Sequence, residues 1–173
     1  MILERRIIIK QNPQHSIVPA KPILKWAGGK TQILGDLMRK APDRFNRYIE
    51  PFIGGGAMFF ALRPRSGVIA DSNPELVNLY RCIAGNVGLV IKRLQNFKNT
   101  ESEFYEVRDL CFGDLEKEYA AARTIYLNRT CFNGLFALTK AGDSMFLLVV
   151  TKTRASASRK YYLRPPMPCK ALI

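Results

Sequence analysis

The spacing of apolar residues changes several times along the chain, and each change predicts a new element. Residues 31–38 carry apolar side chains at helical spacing, which predicts a helix that ends before Pro42. Two short apolar stretches, 47–52 and 67–71, predict strands. They enclose an apolar segment, 57–62, that predicts a helix.

Farther along the chain the pattern predicts mainly helices. Asn73 and Asn86 stand at positions typical of helix caps, and they predict two successive helices that end near residues 83 and 94. Weaker helical patterns cover 103–110 and 115–127. The first 20 residues are mixed and polar apart from an Ile-Ile-Ile run, and we expect them to form a flexible arm.

The predicted strand at 47–52 leads into three consecutive glycines, Gly54–Gly56. The order strand, glycine loop, helix, strand is typical of the start of a nucleotide-binding α/β domain. Glycines let backbone N–H groups approach a ligand closely, and Asp71 ends the second strand, where it could accept hydrogen bonds from ribose hydroxyls. A tight turn followed by an ordinary capping Asp is the alternative, and the pattern alone leaves it open.

A second stretch of the sequence resembles a phosphate-binding P-loop but lacks part of that motif. Gly29-Lys30-Thr31 imitates the end of a P-loop, but that motif requires another glycine five residues before Gly29. The position holds Leu24, and the segment follows a polar arm rather than an apolar strand. The sequence therefore argues against a P-loop ATPase.

The charge of the chain is strongly basic but unevenly spread. The 173 residues include 27 Lys and Arg against 14 Asp and Glu, a formal net charge of +13. Residues 1–30 contribute +5 and residues 145–173 contribute +6, which leaves only +2 for the long middle. Basic proteins favour polyanions such as nucleic acid, and solvated basic tails are the alternative.

Composition and local patterns exclude several other classes. The 47% hydrophobic content excludes a disordered chain. No apolar run reaches 18 residues and the N-terminus lacks the pattern of a secretory leader, so we expect no membrane span and a cytoplasmic protein. The four cysteines form no CxxC pair and His15 is the only histidine, so we expect no metal site.

Four separate motifs resemble those of the Dam-type, or D12 class, DNA adenine-N6 methyltransferases, in the same order and at similar spacing. They are Lys25–Lys30 (KWAGGK), Glu50–Gly56 (EPFIGGG), Ala70–Asn73 (ADSN) and Asn128–Leu135 (NRTCFNGL). The resemblance covers roughly residues 20–143. It implies the Rossmann-like α/β fold of the methyltransferases that depend on S-adenosylmethionine. We expect this fold to be incomplete here and to include the start of a helical DNA-recognition insert.

The same resemblance implies a cofactor site and its residues. Trp26 and Lys30 would close over S-adenosylmethionine, and Asp71 would hold its ribose. The full set of implied cofactor-binding residues is Trp26, Lys30, Glu50, Phe52, Gly54, Gly56 and Asp71. Carboxylates suit a ligand that carries a sulfonium and an ammonium, and an aromatic face can meet a cation.

The fourth motif resembles the stretch with which the family contacts double-stranded DNA. Arg129, Phe132 and Asn133 are the implied DNA-binding residues, with the aromatic and the amide entering the duplex near a flipped adenine. The family often places an Arg two residues after the Leu of this motif, and here the position is Ala137. We expect a monomer that acts on DNA.

The catalytic motif of the family, Asp-Pro-Pro-Tyr, is absent from the sequence. Arg164-Pro165-Pro166-Met167 has two prolines but a cation in place of the acceptor, and Arg cannot accept a hydrogen bond. A non-catalytic remnant that binds cofactor or DNA is therefore one alternative. A generic dinucleotide-dependent enzyme is another, although it would give KWAGGK no role.

The end of the chain matches nothing in the family. Synonymous codons exist for Met145–Ala157 whose shifted frame, started one base earlier, reads NVPFGRYKNPRIC, which resembles the family's continuation. We therefore predict an arm (1–20), a cofactor-binding part (21–98), the start of a DNA-recognition region (99–143) and an out-of-frame tail (144–173). A gene whose shifted frame gives no such text would contradict the last assignment.

Overall fold

The computed structural model describes residues 6–10, 20–138 and 144–148. This part of the chain is a mixed α/β structure. Its strands are β1 (Arg6–Lys10), β2 (Tyr48–Glu50), β3 (Ser66–Ala70), β4 (Cys131–Leu138) and β5 (Ser144–Leu148). Its helices are α1 (Leu34–Lys40), α2 (Ala57–Leu62), α3 (Pro74–Leu94), α4 (Glu101–Arg108) and α5 (Lys117–Thr130), with a 3-10 turn at Phe112–Asp114.

The predicted strand–loop–helix–strand unit is confirmed. Strands β2 and β3 pair in parallel, and the glycine loop and α2 connect them. Because the carboxyl ends of parallel strands lie at one edge of a sheet, the loop after β2 and Asp71 after β3 come together. A separate antiparallel pair, β4 and β5, follows α5.

The flexible arm expected over residues 1–20 is wrong at Arg6–Lys10, which form β1. This strand pairs antiparallel with β3, so the sheet has the order β1-β3-β2 and is mixed. The β-branched Ile-Ile-Ile run suits a strand, and Ile7 packs against the core beside Ile53 and Ile69. Pairing also covers an otherwise open edge of β3. The rest of the arm lies outside the described residues.

The two predicted helix caps are confirmed, within one helix. The Asn73 side chain accepts a hydrogen bond from the backbone N–H of Glu75 at 2.9 Å and begins α3. At Asn86 the backbone leaves the helical region (φ −150°, ψ 66°), and its side chain accepts from the N–H of Leu89 at 3.2 Å. Helix α3 is therefore two helical segments joined at a kink, each with its own cap.

Helix α5 lies at the centre of the helical layer. Nine consecutive residues, 120–128, are buried, and α3 packs against the small side chains of its Ala-rich first half. Helix α4 packs on another side of α5 through Phe104 and Val107. A helix buried on several sides has no polar face, which explains why its sequence gives only a weak helical pattern.

A buried polar network joins these three helices. The Arg123 side chain is 2% exposed, and its Nη1 lies 3.3 Å from Oε2 of buried Glu75 on α3. Its Nε and Nη2 donate to the backbone carbonyls of Val107 and Arg108, each at 3.0 Å, at the end of α4. Thr124 also donates to Glu75 Oε2 at 3.0 Å. Burial lowers the pKa of Arg123, and the Glu75 charge opposes that shift.

The two faces of the three-stranded sheet differ. Ile69 is 3% exposed and packs with Ile53 and Tyr80. On the opposite face Ile8 and Ile49, which both pair with Val68, are 72% and 64% exposed. This row across three strands is an exposed apolar patch. Among the helices that the structure describes, none has the length and hydropathy of a membrane span.

We predict that Arg123→Met lowers the free energy of unfolding by about 3–5 kcal/mol, because it leaves a buried carboxylate without its cation. Urea unfolding of the chain measures the change. Arg93→Met is the matched control, since Arg93 pairs with Glu116 where both side chains are more than a third exposed, and removal of such a pair costs about 0.2–1 kcal/mol. Equal losses in the two variants would contradict a special role for the buried pair.

We predict that Ile49→Lys increases the soluble fraction of the expressed chain and changes its stability by less than about 0.5 kcal/mol, because the side chain is already largely in solvent. Soluble yield and thermal melting measure the two effects. Ile69→Lys, on the buried face, should instead prevent cooperative folding. Similar destabilisation by both substitutions would show that the outer face is covered in solution.

Candidate functional site

A cavity of about 560 Å³ lies at the carboxyl ends of β2 and β3. Its walls are residues of the 21–31 segment and of the 52–57 loop, together with Asp71 and Arg129. This volume is within the usual range for small-molecule sites. We call it the site cavity.

The glycine loop has a backbone shape that other residues adopt with difficulty. Gly54 and Gly56 have φ values of +52° and +77°, in the left-handed region that favours glycine. A Cβ on Gly54 would lie 3.0 Å from Cδ1 of Trp26, and one on Gly56 would lie 2.8 Å from the Phe60 ring. The loop therefore packs closely against an aromatic ring at each of these two glycines.

Asp71 fixes this loop through its backbone. Its Oδ2 accepts from the N–H of Gly54 at 2.9 Å, and its Oδ1 accepts from the N–H of Asn73 at 3.0 Å. The carboxylate thus joins the loop after β2 to the start of α3. Each oxygen keeps a further lone pair, and Asp71 also lines the site cavity. A role toward ribose hydroxyls is compatible with this geometry and stays a prediction.

Tyr80 supports the loop from behind, and the sequence pattern gave no sign of it because the residue fits the apolar face of α3. Its hydroxyl donates to the carbonyl of Gly54 at 2.9 Å. Burial raises the pKa of Tyr80, and the negative charges of Glu50 and Asp71 raise it further. The hydroxyl therefore stays protonated and remains a donor at neutral pH.

Lys30 connects the KWAGGK segment to the loop that follows β2. Its Nζ donates to the carbonyl of Phe52 at 2.8 Å and lies 3.0 Å from Oε1 of Glu50. Glu50 is only 5% exposed, and its Oε2 accepts from the Tyr48 hydroxyl at 2.7 Å. Burial, with the adjacent Glu50 carboxylate, raises the pKa of Tyr48. Glu50 therefore lies beneath the site cavity and holds Lys30 at its wall.

Two aromatic side chains line the site cavity. Trp26 is partly buried against Gly54 and Gly55. Phe52 is 70% exposed although it is large and apolar. An exposed aromatic ring at a cavity wall is available to pack against a ligand.

The C-terminal turn of α5 holds in place the cavity wall formed by the 21–31 segment. The side-chain amide of Asn128 accepts from the N–H of Lys25 at 3.0 Å and donates to the carbonyl of Lys25 at 2.7 Å. The Arg129 guanidinium donates to the carbonyl of Ile23. Asn128 belongs to the fourth sequence motif, but its contact with a segment 103 residues away could not be predicted from that motif.

The structure brings together six of the ten residues that the sequence singled out. The six that line the site cavity are Trp26, Lys30, Phe52, Gly54, Asp71 and Arg129. Glu50 and Gly56 stand behind the lining, where they support Lys30 and begin α2. Phe132 and Asn133 belong to the backbone of β4, but their side chains lie outside the described residues.

Charges of both signs surround the site cavity. Asp71 contributes a carboxylate, while Lys21, Lys25 and Arg129 form a basic rim. The arrangement can hold a cationic small molecule by its carboxylate and place it next to a polyanion. Within the described part of the chain, no group of three or more His, Cys, Asp or Glu side chains could hold a metal ion.

A family model described as D12 class N6 adenine-specific DNA methyltransferase matches residues 26–160, a range that includes the site cavity from Trp26 to Arg129. The chain belongs to this D12 family. The resemblance noted in the four motifs is thus confirmed. The match runs to residue 160, so the expectation that the end of the chain matches nothing in the family is wrong for residues 144–160.

Named relatives agree with the family. The Type II methyltransferase M1.LlaDCHI of Lactococcus lactis is 38% identical over 129 residues, which cover 71% of this chain and 45% of the relative. The Type II methyltransferase M.MjaIII of Methanocaldococcus jannaschii is 35% identical over 144 residues (71% and 50%). The DNA adenine methylase of Haemophilus influenzae is 34% identical over 120 residues (66% and 42%). The chain spans about half the length of these relatives.

We predict that Gly54→Ala moves the Trp26 indole and destabilises the chain by about 1–3 kcal/mol, because the new Cβ meets Cδ1 at 3.0 Å in a left-handed backbone. Trp26 is the only tryptophan, so its emission and its quenching by acrylamide report the movement directly.

Gly85→Ala is the control for that substitution. No atom lies within 4 Å of a Cβ at this helical position, and alanine favours helix, so stability should hold or rise slightly. Unchanged Trp26 fluorescence in Gly54→Ala would contradict the close contact between the loop and the indole.

Proposed function

We propose that the site cavity binds S-adenosylmethionine. We also propose that this cavity serves an enzyme that methylates N6 of adenine in double-stranded DNA. The observation that carries the proposal is the convergence of KWAGGK, the glycine loop and Asp71 on one cavity at the carboxyl ends of β2 and β3. The proposal includes a Rossmann-like domain, a helical DNA-recognition insert beginning near residue 99, a monomeric state and a cytoplasmic location.

The chemistry of the lining supports this ligand. When bound, S-adenosylmethionine supplies a methyl group on a positively charged sulfur. Asp71 offers the cavity a carboxylate, with Glu50 beneath it, and Trp26 and Phe52 offer aromatic faces that attract cations or stack on a base. The glycine loop packs closely against Trp26, and a Cβ at Gly54 or Gly55 would disturb that contact.

Each residue has a distinct part in the proposal. Asp71 shapes the loop through the Gly54 and Asn73 amides and accepts from ribose hydroxyls with its remaining lone pairs. Lys30, held by Glu50 and the Phe52 carbonyl, fixes the wall that carries Trp26. The chain thus binds and orients a methyl donor, which is the main contribution of protein to such a transfer.

The basic rim supports a polyanionic substrate. Lys21, Lys25 and Arg129 stand at the mouth of the site cavity, where phosphate contacts would position a duplex. Phe132 and Asn133 follow Arg129 by three and four residues and are proposed to enter the duplex beside the flipped adenine.

For this chain by itself we propose binding without turnover. Methyl transfer forms a bond from adenine N6 to the methyl carbon, breaks the bond from that carbon to sulfur and releases a proton from N6. The Asp-Pro-Pro-Tyr that would accept a hydrogen bond from N6 is absent from the sequence. We also propose that residues 144–173 are an out-of-frame tail, although the family match extends to residue 160. Sequencing of the gene tests this proposal.

We predict that S-adenosylmethionine binds the purified chain and that Asp71→Asn lowers its affinity by about tenfold or more, equal to about 1.4 kcal/mol. Isothermal calorimetry measures both. Asp36→Asn is the matched control, because that carboxylate lies on exposed α1 and pairs only with neighbouring Arg39 among the described contacts. S-adenosylhomocysteine, which lacks the sulfonium charge, should bind more weakly.

Three further results would decide between the alternatives. Binding of NAD in preference to S-adenosylmethionine would favour a dinucleotide-dependent enzyme. Transfer of a labelled methyl group to adenine-containing duplex would show that this chain is active and would overturn the binding-only proposal. Absence of binding by a cooperatively folded chain would contradict the cofactor site itself.

A further inference from the structure

The strongest feature that the proposed function does not use is the contact between Asn128 and the backbone of Lys25. Asn128 is 1% exposed, and its amide both donates to and accepts from the same residue, at 2.7 Å and 3.0 Å. A neighbouring β-strand would make the same two hydrogen bonds with the backbone of Lys25. Here a single side chain makes both. It satisfies both backbone groups of Lys25 and fixes the orientation of the peptide on either side.

The next residue after Lys25 is Trp26, whose indole contacts the glycine loop. Arg129 holds the carbonyl of Ile23, two residues before Lys25. Leu24, between these anchor points, is 3% exposed and packs into the core formed by α3 and α5. The segment that presents Trp26 is therefore attached to the last turn of α5 by hydrogen bonds on both sides of a buried leucine.

The same turn of α5 continues directly into β4, whose backbone carries Phe132 and Asn133. The wall of the cofactor cavity and the proposed DNA-contacting stretch thus begin from one rigid support. Side chains held by packing and hydrogen bonds of this kind give a site its precision.

We infer that Asn128 is a positioning residue: through the Lys25 peptide it sets the place of the Trp26 indole against the glycine loop, and so it sets the affinity of the site cavity for its cofactor. The second part rests on the proposed function. The first part concerns the ligand-free protein and can be tested without any ligand.

The test uses the full chain and its single tryptophan. In Asn128→Leu both hydrogen bonds are lost while the branching of the side chain is kept, so Trp26 emission should shift to longer wavelength and acrylamide should quench it more strongly. Thr124→Val is the matched control: Thr124 is equally buried on α5, but its hydroxyl bonds Glu75 and the Ala120 carbonyl, away from Lys25. This control should lose stability without altering Trp26 fluorescence.

Asn128→Asp gives a second test that does not depend on whether Asn128→Leu folds. An ionised Asp keeps the acceptor for the Lys25 N–H but cannot donate to the Lys25 carbonyl, whereas a protonated Asp can donate. Acidification from about pH 8 to about pH 5, a range that a buried carboxyl can titrate in, should therefore return Trp26 quenching to the wild-type level. Of the residues that the structure describes, Arg129 is the charged neighbour of Asn128 in the chain, and Lys25 is the charged residue whose backbone it contacts. The wild-type chain, measured alongside, should show no such change.

The outcomes separate the two ideas. Wild-type fluorescence in Asn128→Leu, or equal changes in Asn128→Leu and Thr124→Val, would overturn the positioning role. If Asn128→Leu does not fold, the absence of pH-dependent rescue in Asn128→Asp overturns it instead. Where the wild-type chain binds S-adenosylmethionine, Asn128→Leu should weaken binding by about tenfold. Where it does not, the proposed function fails and the fluorescence result still decides the role of Asn128.

Discussion

One buried guanidinium holds together the helices behind the site. Arg123 reaches Glu75 at the start of α3 and two carbonyls at the end of α4 from its place on α5. The first turn of α3 follows Asp71, and the last turn of α5 carries Asn128. Both walls of the site cavity therefore depend on helices whose relative position this ion pair and its hydrogen bonds fix. A charge so deeply buried is tolerated only because every partner is in place.

The parts of the fold that follow from local chemistry were predictable. The helix at 57–62 has the predicted bounds, because its apolar residues begin directly after the three glycines. The caps at Asn73 and Asn86 lie where their side chains can accept hydrogen bonds from backbone N–H groups. Strand β1 was not predictable, because it exists through pairing with β3. Helix α5 gave a weak pattern because its buried surface includes Arg123, whose polar groups are satisfied by distant residues.

The candidate site divides in the same way. Motif residues such as Trp26 and Asp71 could be named from the sequence and do lie at one cavity. Tyr80 and Asn128 act on it by hydrogen bonds to the backbone of residues 26 and 103 positions away. A hydrogen bond to a backbone group leaves no complementary side chain to recognise in the sequence. The sequence therefore allowed residues of the cavity lining to be predicted, but not the supporting hydrogen bonds of Tyr80 and Asn128.

The glycine loop has a consequence for how such a gene changes over time. Glycine is encoded by codons that begin with two guanines. Any single-base missense change in such a codon introduces a residue with a Cβ. At Gly54 and Gly56 that atom enters a left-handed backbone, and at Gly55 it would lie 3.0 Å from the Leu24 carbonyl. These three codons have no conservative neighbour in the genetic code. A missense mutation in any of these codons would therefore disturb the wall of the cavity.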